Sequence, residues 1–262
     1  MRVGRLVWVL CGTVLCGTVQ GHALRMAAYC GAELTCPAKS PWRRTTTIAS
    51  TSADIDSLAA RAADAMSHGR AHVEPMFLSA HALDDARADL MKVLSQVIQG
   101  DSESFESIET DLLDPGFRQQ LGSSLPFPSL LGQLDELRAA LAKRTGRALL
   151  EGGGLHLMHY PVGSKFMRHV DEDPSMYEPR RNSISFLIYL TSSQWDAADG
   201  GALRIFEAAE GDTPREVLPL GGTLVIYDST IEHEVLVTLR ERHLISGRFR
   251  ESDEDWQRRR KV

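Results

Sequence analysis

The sequence predicts an α+β protein in which helices come first and an antiparallel β core follows. Three observations carry that expectation. Between Ala53 and Gly146, apolar residues recur at helical spacing, with glycines where helices would stop. After Gly152, Gly153 and Gly154 the texture changes to short β-branched and aromatic runs separated by Gly, Pro and Asp, the pattern of an antiparallel sandwich or barrel. The chain has 262 residues, 43% hydrophobic and 24% charged, which suffices for one sizeable domain with an extension.

The elements follow in order. MRVGR carries two arginines and precedes LVWVLCGTVLCGTV, fourteen mostly apolar residues, then small residues at Gly21 and Ala23. Basic head, short apolar centre and small exit residues read as a signal peptide over 1–23. The run falls short of the about 20 apolar residues of a spanning helix, so no stable membrane span is expected, a retained anchor being the alternative. Cleavage near Ala23 would remove Cys11 and Cys16, leaving Cys30 and Cys36 and no disulfide framework in the folded core. Residues 24–53 are poor in acidic side chains and bear Arg, Ser and Thr, as a transit-like segment or a disordered linker would. The destination is therefore the secretory pathway, ending in the endoplasmic reticulum or outside the cell, or a complex plastid.

Residues 54–150 form a helical support region. Ala53 to Gly69 reads as an Ala-rich helix with Asp54 or Ser57 as N-cap; a second helix starts at Ser79 and presents Leu83, Ala86, Leu90, Val93, Leu94 and Val97. Gly100 to Thr110 reads as loop, and LDPGF and LPFPS as turns; SLLGQLDELRAALAKRTG then makes a third helix ending at Gly146. Residues 151–252 are the β core, with strand-like runs LHLMHYPVG, FMRHVD, NSISFLIYLTS, ALRIF, GTLVIYD, EVLVTL and RHLISGRFR. Residues 253–262 read as a solvated basic tail. A net charge of -6 and a pI near 5.9 argue against nucleic acid as a general partner.

Within the β core, HVDEDP places His169 and Asp171 two apart, so period-2 alternation turns both toward one face. An imidazole beside a carboxylate can chelate a metal, although by itself the pair reads more readily as a surface histidine next to a turn-capping aspartate. A third ligand is needed. His156 and His159 are three apart in a strand and face opposite sides, and His243 reads as an ordinary strand histidine. His233, at the start of a strand after GTLVIYDSTIE, is the preferred third ligand. Two His and one carboxylate with open positions is the donor set of non-haem Fe(II) oxygenases. The open positions would take a 2-oxo acid and O2. Arg242, nine residues beyond His233, could fork onto a remote carboxylate of that acid, and Ser246 on the same strand face could add a hydroxyl.

With these residues in place, YPVGSKFMRHVDEDP, ISFLIYLTSSQWDAADGGALRIF and PLGGTLVIYDSTIEHEVLVTLRERHLISGRF resemble the prolyl 4-hydroxylase-like 2-oxoglutarate and Fe(II)-dependent dioxygenases, most of all the oxygen-sensing prolyl hydroxylase branch. The resemblance implies a double-stranded β-helix (jelly-roll) core with supporting N-terminal helices. It implies His169, Asp171 and His233 as Fe(2+) ligands and Arg242 as the residue on the distal carboxylate of 2-oxoglutarate. Tyr160, Tyr189, Ser246 and Leu203 match positions around the co-substrate. Ascorbate is implied as reductant and a proline-containing peptide as substrate. Hydroxylation of another side chain or a small molecule, and a non-catalytic metal-binding jelly roll, are the alternatives. Arg248 departs from the pattern, standing where the oxygen-sensing branch has an aromatic residue. Arg204 reads as a solvated or structural charge. Gly200, Gly201, Gly221 and Gly222 read as turn glycines, and no Walker A, dinucleotide fingerprint or GxSxG elbow is present.

Overall fold

The computed structural model describes residues 52–97, 108–111, 127–173, 180–207 and 213–260. The targeting segment, nearly all of the transit-like stretch and the LDPGF turn lie outside them. Helix α1 (Ser52–Ser67) buries Ile55, Leu58, Ala59, Ala62 and Met66, one stripe at helical spacing, and is followed by Gly69 at φ 67°. It starts earlier than expected, so Asp54 lies in its first turn and Ser57 inside it, and neither is the cap. In α2 (Ala80–Val97) the Ser79 hydroxyl accepts from the Ala82 amide, and Leu83, Ala86, Leu90, Val93 and Leu94 are buried. Helix α3 (Pro128–Thr145) has proline in its first turn and buries Leu130, Leu134, Leu137 and Leu141. Gly146, at φ 71°, ends it with its amide on the Ala142 carbonyl.

The strands are β1 (His72–Glu74), β2 (Ile108–Asp111), β3 (Gly154–Tyr160), β4 (Phe166–His169), β5 (Asn182–Tyr189), β6 (Leu203–Phe206), β7 (Arg215–Val217), β8 (Leu224–Asp228), β9 (Glu232–Val235) and β10 (Arg242–Arg250). They pair antiparallel in two sheets, ordered β1-β8-β5-β10-β3-β2 and β4-β9-β6-β7. Neighbours distant in sequence, such as β5 with β10 and β4 with β9, give the interleaved topology of a jelly roll.

Period-2 alternation divides the larger sheet. Leu155 and Leu157, Ile184, Phe186 and Ile188, and Ile245 and Phe249 turn to one face and join the helices in one apolar core. Met158 and Tyr160, Leu187 and Tyr189, Val225 and Tyr227, and Leu244 turn to the other, where Leu203, Ile205, Val217 and Val235 of the smaller sheet meet them. The helices thus back the sheet and leave its second face for the site. Gly247 belongs to the helix-side row: a Cβ there would sit 2.1 Å from Cζ of Phe186.

Four expectations are corrected. Ile108–Thr110, read as loop, belongs to β2, an edge strand on β3; pairing with a formed sheet overrides a polar local sequence. Strand β4 ends at His169, so Asp171 lies in the bend beyond it and not in the strand. His233 is inside β9, which spans EHEV and stops before most of the EVLVTL run. The basic tail is largely helix α4 (Asp253–Arg260), with Trp256 buried, Arg259 on Glu251 and Arg258 on Glu254 and Asp255. Among the described residues no helix is long and apolar enough to cross a membrane.

Candidate metal centre

His169 at the end of β4 and His233 in β9 are cross-strand partners, which places their rings side by side with centroids 4.3 Å apart. The bend after β4 returns Asp171 toward them. His169 Nε2 is 4.0 Å from Asp171 Oδ1, and His233 Nε2 is 3.8 Å from Asp171 Oδ2. One donor atom from each of the three lies within 4.8 Å of the others, the one such group among the described residues.

The donors have the chemistry a metal needs. Nδ1 of His169 is 2.7 Å from the Met167 carbonyl, and Nδ1 of His233 is 3.0 Å from the Ile231 carbonyl. A carbonyl only accepts, so each Nδ1 carries the proton and each Nε2 turns a lone pair into the site. Burial pushes the His233 pKa down, outweighing the opposing charge of Asp171 and keeping the ring neutral. For Asp171, burial raises the pKa, but the charge of Arg248 and hydrogen bonds from Arg248 and Ser185 outweigh it and hold the carboxyl below its usual range. Two imidazoles presenting Nε2 beside one carboxylate suit a divalent ion.

The carboxylate rests on one row of the larger sheet. Arg248 of β10 pairs with Ser185 of β5, which pairs with Tyr227 of β8, and all three point to the same face. Arg248 donates to Asp171 Oδ1 from Nε at 3.0 Å and from Nη2 at 2.7 Å. Tyr227 donates to Oδ2 at 3.2 Å and lies equally far from His233 Nε2. Burial first, and then the Asp171 charge, push the Tyr227 pKa well above its ordinary value, so the phenol stays a donor.

From this centre a narrow cavity runs between the sheets past Leu187, Leu203, Leu244 and Ser246 to Tyr160 and Arg242. Arg242 is completely buried, yet none of its three guanidinium nitrogens meets a hydrogen-bond partner among the described residues. Its charge lies over the rings of Tyr160 and Tyr189, 4.8 and 5.1 Å from their centroids. The Tyr189 hydroxyl is likewise unpaired; burial raises its pKa against the lowering effect of Arg242, whose charge it feels without satisfying hydrogen-bond geometry. Gly201 allows this approach, since a Cβ there would come within 3.2 Å of Arg242 Cδ. A buried cation with no partner among the described residues, on the wall of the cavity that holds the donor set, has the chemistry to receive an anion.

Of the residues singled out in the sequence, His169, Asp171, His233, Arg242, Tyr160, Ser246 and Leu203 all line this cavity. Tyr189 backs Arg242 without lining it. Arg204 is held by Glu216 and Glu234 on the outside of the smaller sheet. His159 and His243 bond each other at 2.8 Å away from the cavity. Sequence reasoning missed Tyr227, whose alternation with Val225 in GTLVIYD was the available signal, and found no task for Arg248.

Residues 155–250 match the model of the 2OG-Fe(II) oxygenase superfamily, and this segment is a 2OG-Fe(II) oxygenase domain. Within that class the chain is prolyl 4-hydroxylase-like. It is 28% identical to a Pseudomonas putida prolyl-4-hydroxylase structure, covering 74% of this chain and 99% of that one with a TM-score of 0.61. Two further structures share the fold at the same TM-score of 0.61. A Trichoplax adhaerens prolyl hydroxylase, in complex with a hypoxia inducible factor oxygen degradation domain peptide fragment, is 17% identical over 78% of this chain and 93% of that one. A Phytophthora capsici prolyl 4-hydroxylase is 19% identical over 83% and 71%. No curated protein matches the sequence.

Proposed function

We propose that this protein is a 2-oxoglutarate- and Fe(II)-dependent dioxygenase that hydroxylates a peptidyl proline. The observation that carries the reading is Arg242, a fully buried guanidinium with three unpartnered nitrogens, in the same cavity as the His169, Asp171 and His233 donor set. A structural metal has no use for such a cation, whereas a dicarboxylic co-substrate reaching in from the metal needs one. With Fe(II) bound, the centre would couple oxidative decarboxylation of 2-oxoglutarate by O2, giving succinate and CO2, to insertion of the second oxygen atom into a C–H bond.

The chain's own residues bind and orient. His169, Asp171 and His233 would hold the metal from one side, each imidazole fixed by its Nδ1 hydrogen bond. Arg242 would take the distal carboxylate, with the Tyr160 and Tyr189 rings keeping water from the guanidinium. Ser246 offers a hydroxyl, and Leu203, Leu187 and Leu244 give the carbon chain an apolar sleeve. Ascorbate would return the metal to Fe(II) after uncoupled turnover. A proline-containing peptide as acceptor is supported by the likeness to prolyl 4-hydroxylases. The apolar run and exit residues at 1–23 support delivery through the secretory pathway.

Succinate release with a panel of proline-bearing peptides, set against alanine-substituted peptides and small-molecule acceptors, tests the reaction. Proline-dependent release with 4-hydroxyproline in the product is expected; release indifferent to proline would overturn the acceptor. A reporter fused to residues 1–60 tests the destination, and a cytosolic signal would overturn it.

A further inference from the structure

Arg248 is bonded to the carboxylate of the candidate metal centre. It stands in the row Arg248, Ser185, Tyr227, six positions along β10 from Arg242 on the same face, with Leu244 and Ser246 between them as cavity wall. Both of its bonds to Asp171 fall on one oxygen, Oδ1, so the other, Oδ2, is left facing His233 Nε2 and the Tyr227 hydroxyl. The pair is largely dry: the Asp171 side chain is 4% exposed and that of Arg248 23%.

Counting charge shows what such a pair does. Two neutral imidazoles and one carboxylate sum to -1, and the Arg248 guanidinium brings the donor set to zero. A divalent ion entering the set then leaves +2 in a buried site; without the guanidinium it would leave +1. A dianionic 2-oxo acid would put one carboxylate at the ion and the other on Arg242, so the metal end would fall to +1 in the first case and to zero in the second; the Arg248 guanidinium opposes the bare ion and favours the anion.

We propose that Arg248 is a positioning residue that fixes Asp171 through Oδ1 and, by its charge, weakens binding of the bare ion while strengthening binding of the dianionic co-substrate to the loaded site. The inference rests on the reading of the site as a 2-oxoglutarate oxygenase centre. It assigns the departure at this position a task different from the stacking surface an aromatic side chain would supply.

The test is binding without turnover. Mn(II) is titrated into the metal-free protein and the free ion followed by electron paramagnetic resonance, with and without one fixed concentration of 2-oxoglutarate that leaves the metal-free protein unsaturated, for the wild type, Arg248→Gln and Arg248→Lys. In the wild type, 2-oxoglutarate should tighten Mn(II) strongly. In Arg248→Gln, Mn(II) alone should bind on the order of tenfold tighter and the tightening by 2-oxoglutarate should fall by a similar factor, while Arg248→Lys, which keeps the charge, retains most of both. A merely structural arginine would give weaker Mn(II) binding in Arg248→Gln with the tightening by 2-oxoglutarate intact, and that result overturns the proposal. If the wild type shows no effect of 2-oxoglutarate on Mn(II), the co-substrate reading fails and the proposal falls with it. Tightening of equal size in the wild type and Arg248→Gln sinks the role of Arg248 alone.

Discussion

Replacing Arg242 by methionine should change stability and binding in opposite directions. The side chain is completely buried and its three guanidinium nitrogens have no partner among the described residues, so the ligand-free fold carries an uncompensated charge cushioned only by two aromatic faces. Methionine fills a similar volume without a charge. By analogy with buried ions replaced by apolar residues, Arg242→Met should stabilise the ligand-free protein by about 1–4 kcal/mol. Bound 2-oxoglutarate reverses the sign. Losing a fork onto a buried carboxylate costs about 2–5 kcal/mol, or roughly 30- to several-thousand-fold in affinity. With Mn(II) and co-substrate at about 100 times its dissociation constant, the wild type gains about 2.7 kcal/mol, which for a domain of this size is about 5–11 °C in melting temperature. Thermal unfolding with and without 2-oxoglutarate, in the presence of Mn(II), reads both effects at once. The variant should melt higher than the wild type without co-substrate and gain almost nothing from it. A variant that melts lower without co-substrate, or is stabilised by 2-oxoglutarate as much as the wild type, refutes the view of Arg242 as an anion socket.

Alanine at His169, Asp171 or His233 should reduce succinate formation to background and abolish tight Mn(II) binding with circular dichroism unchanged; turnover retained in any folded variant would remove that residue from the metal set. Burial and the neighbouring His159 and Arg87 push the His243 pKa from 6.5 down to about 4. The unfolded chain therefore takes up a proton first, so this contribution to stability is complete above pH 6.5 and lost as the pH falls toward 4. The loss is roughly 3 kcal/mol at most. Urea midpoints across that window should flatten in His243→Gln, and an unchanged slope would contradict the assignment. Gly247→Ala would drive a methyl to within 2.1 Å of Phe186 and should cost about 1–3 kcal/mol in urea unfolding, with Mn(II) affinity little changed because the residue faces the helices.

The elements that announced themselves in the sequence are those whose order is local. The stripes of α1, α2 and α3 buried as their spacing demanded, because 3.6-residue periodicity is visible in any window of two or three turns. RHLISGRFR is β10 residue for residue, and its alternation already separated Arg242, Leu244, Ser246 and Arg248 from Ile245, Gly247 and Phe249. His169, Asp171, His233 and Arg242 were legible for a different reason: few residue types can ligate a metal or fork onto a carboxylate, so chemistry narrowed the choice.

What stayed hidden depends on partners brought together from far along the chain. Ile108–Asp111 looks like loop because its pairing comes from β3, and the bend that returns Asp171 to the site is invisible to a strand rule that ends at His169. Arg248 and Tyr227 reach Asp171 across 77 and 56 residues, along a row that exists only once β10, β5 and β8 are in register. Composition and spacing therefore determined which side chains could bind a metal and a dicarboxylate. The tertiary structure alone decided which charges are paired and which are not. Arg242 and Arg248 are identical residues on one face of one strand, and only the packing of the two sheets gives Arg248 a carboxylate and leaves Arg242 without a partner among the described residues.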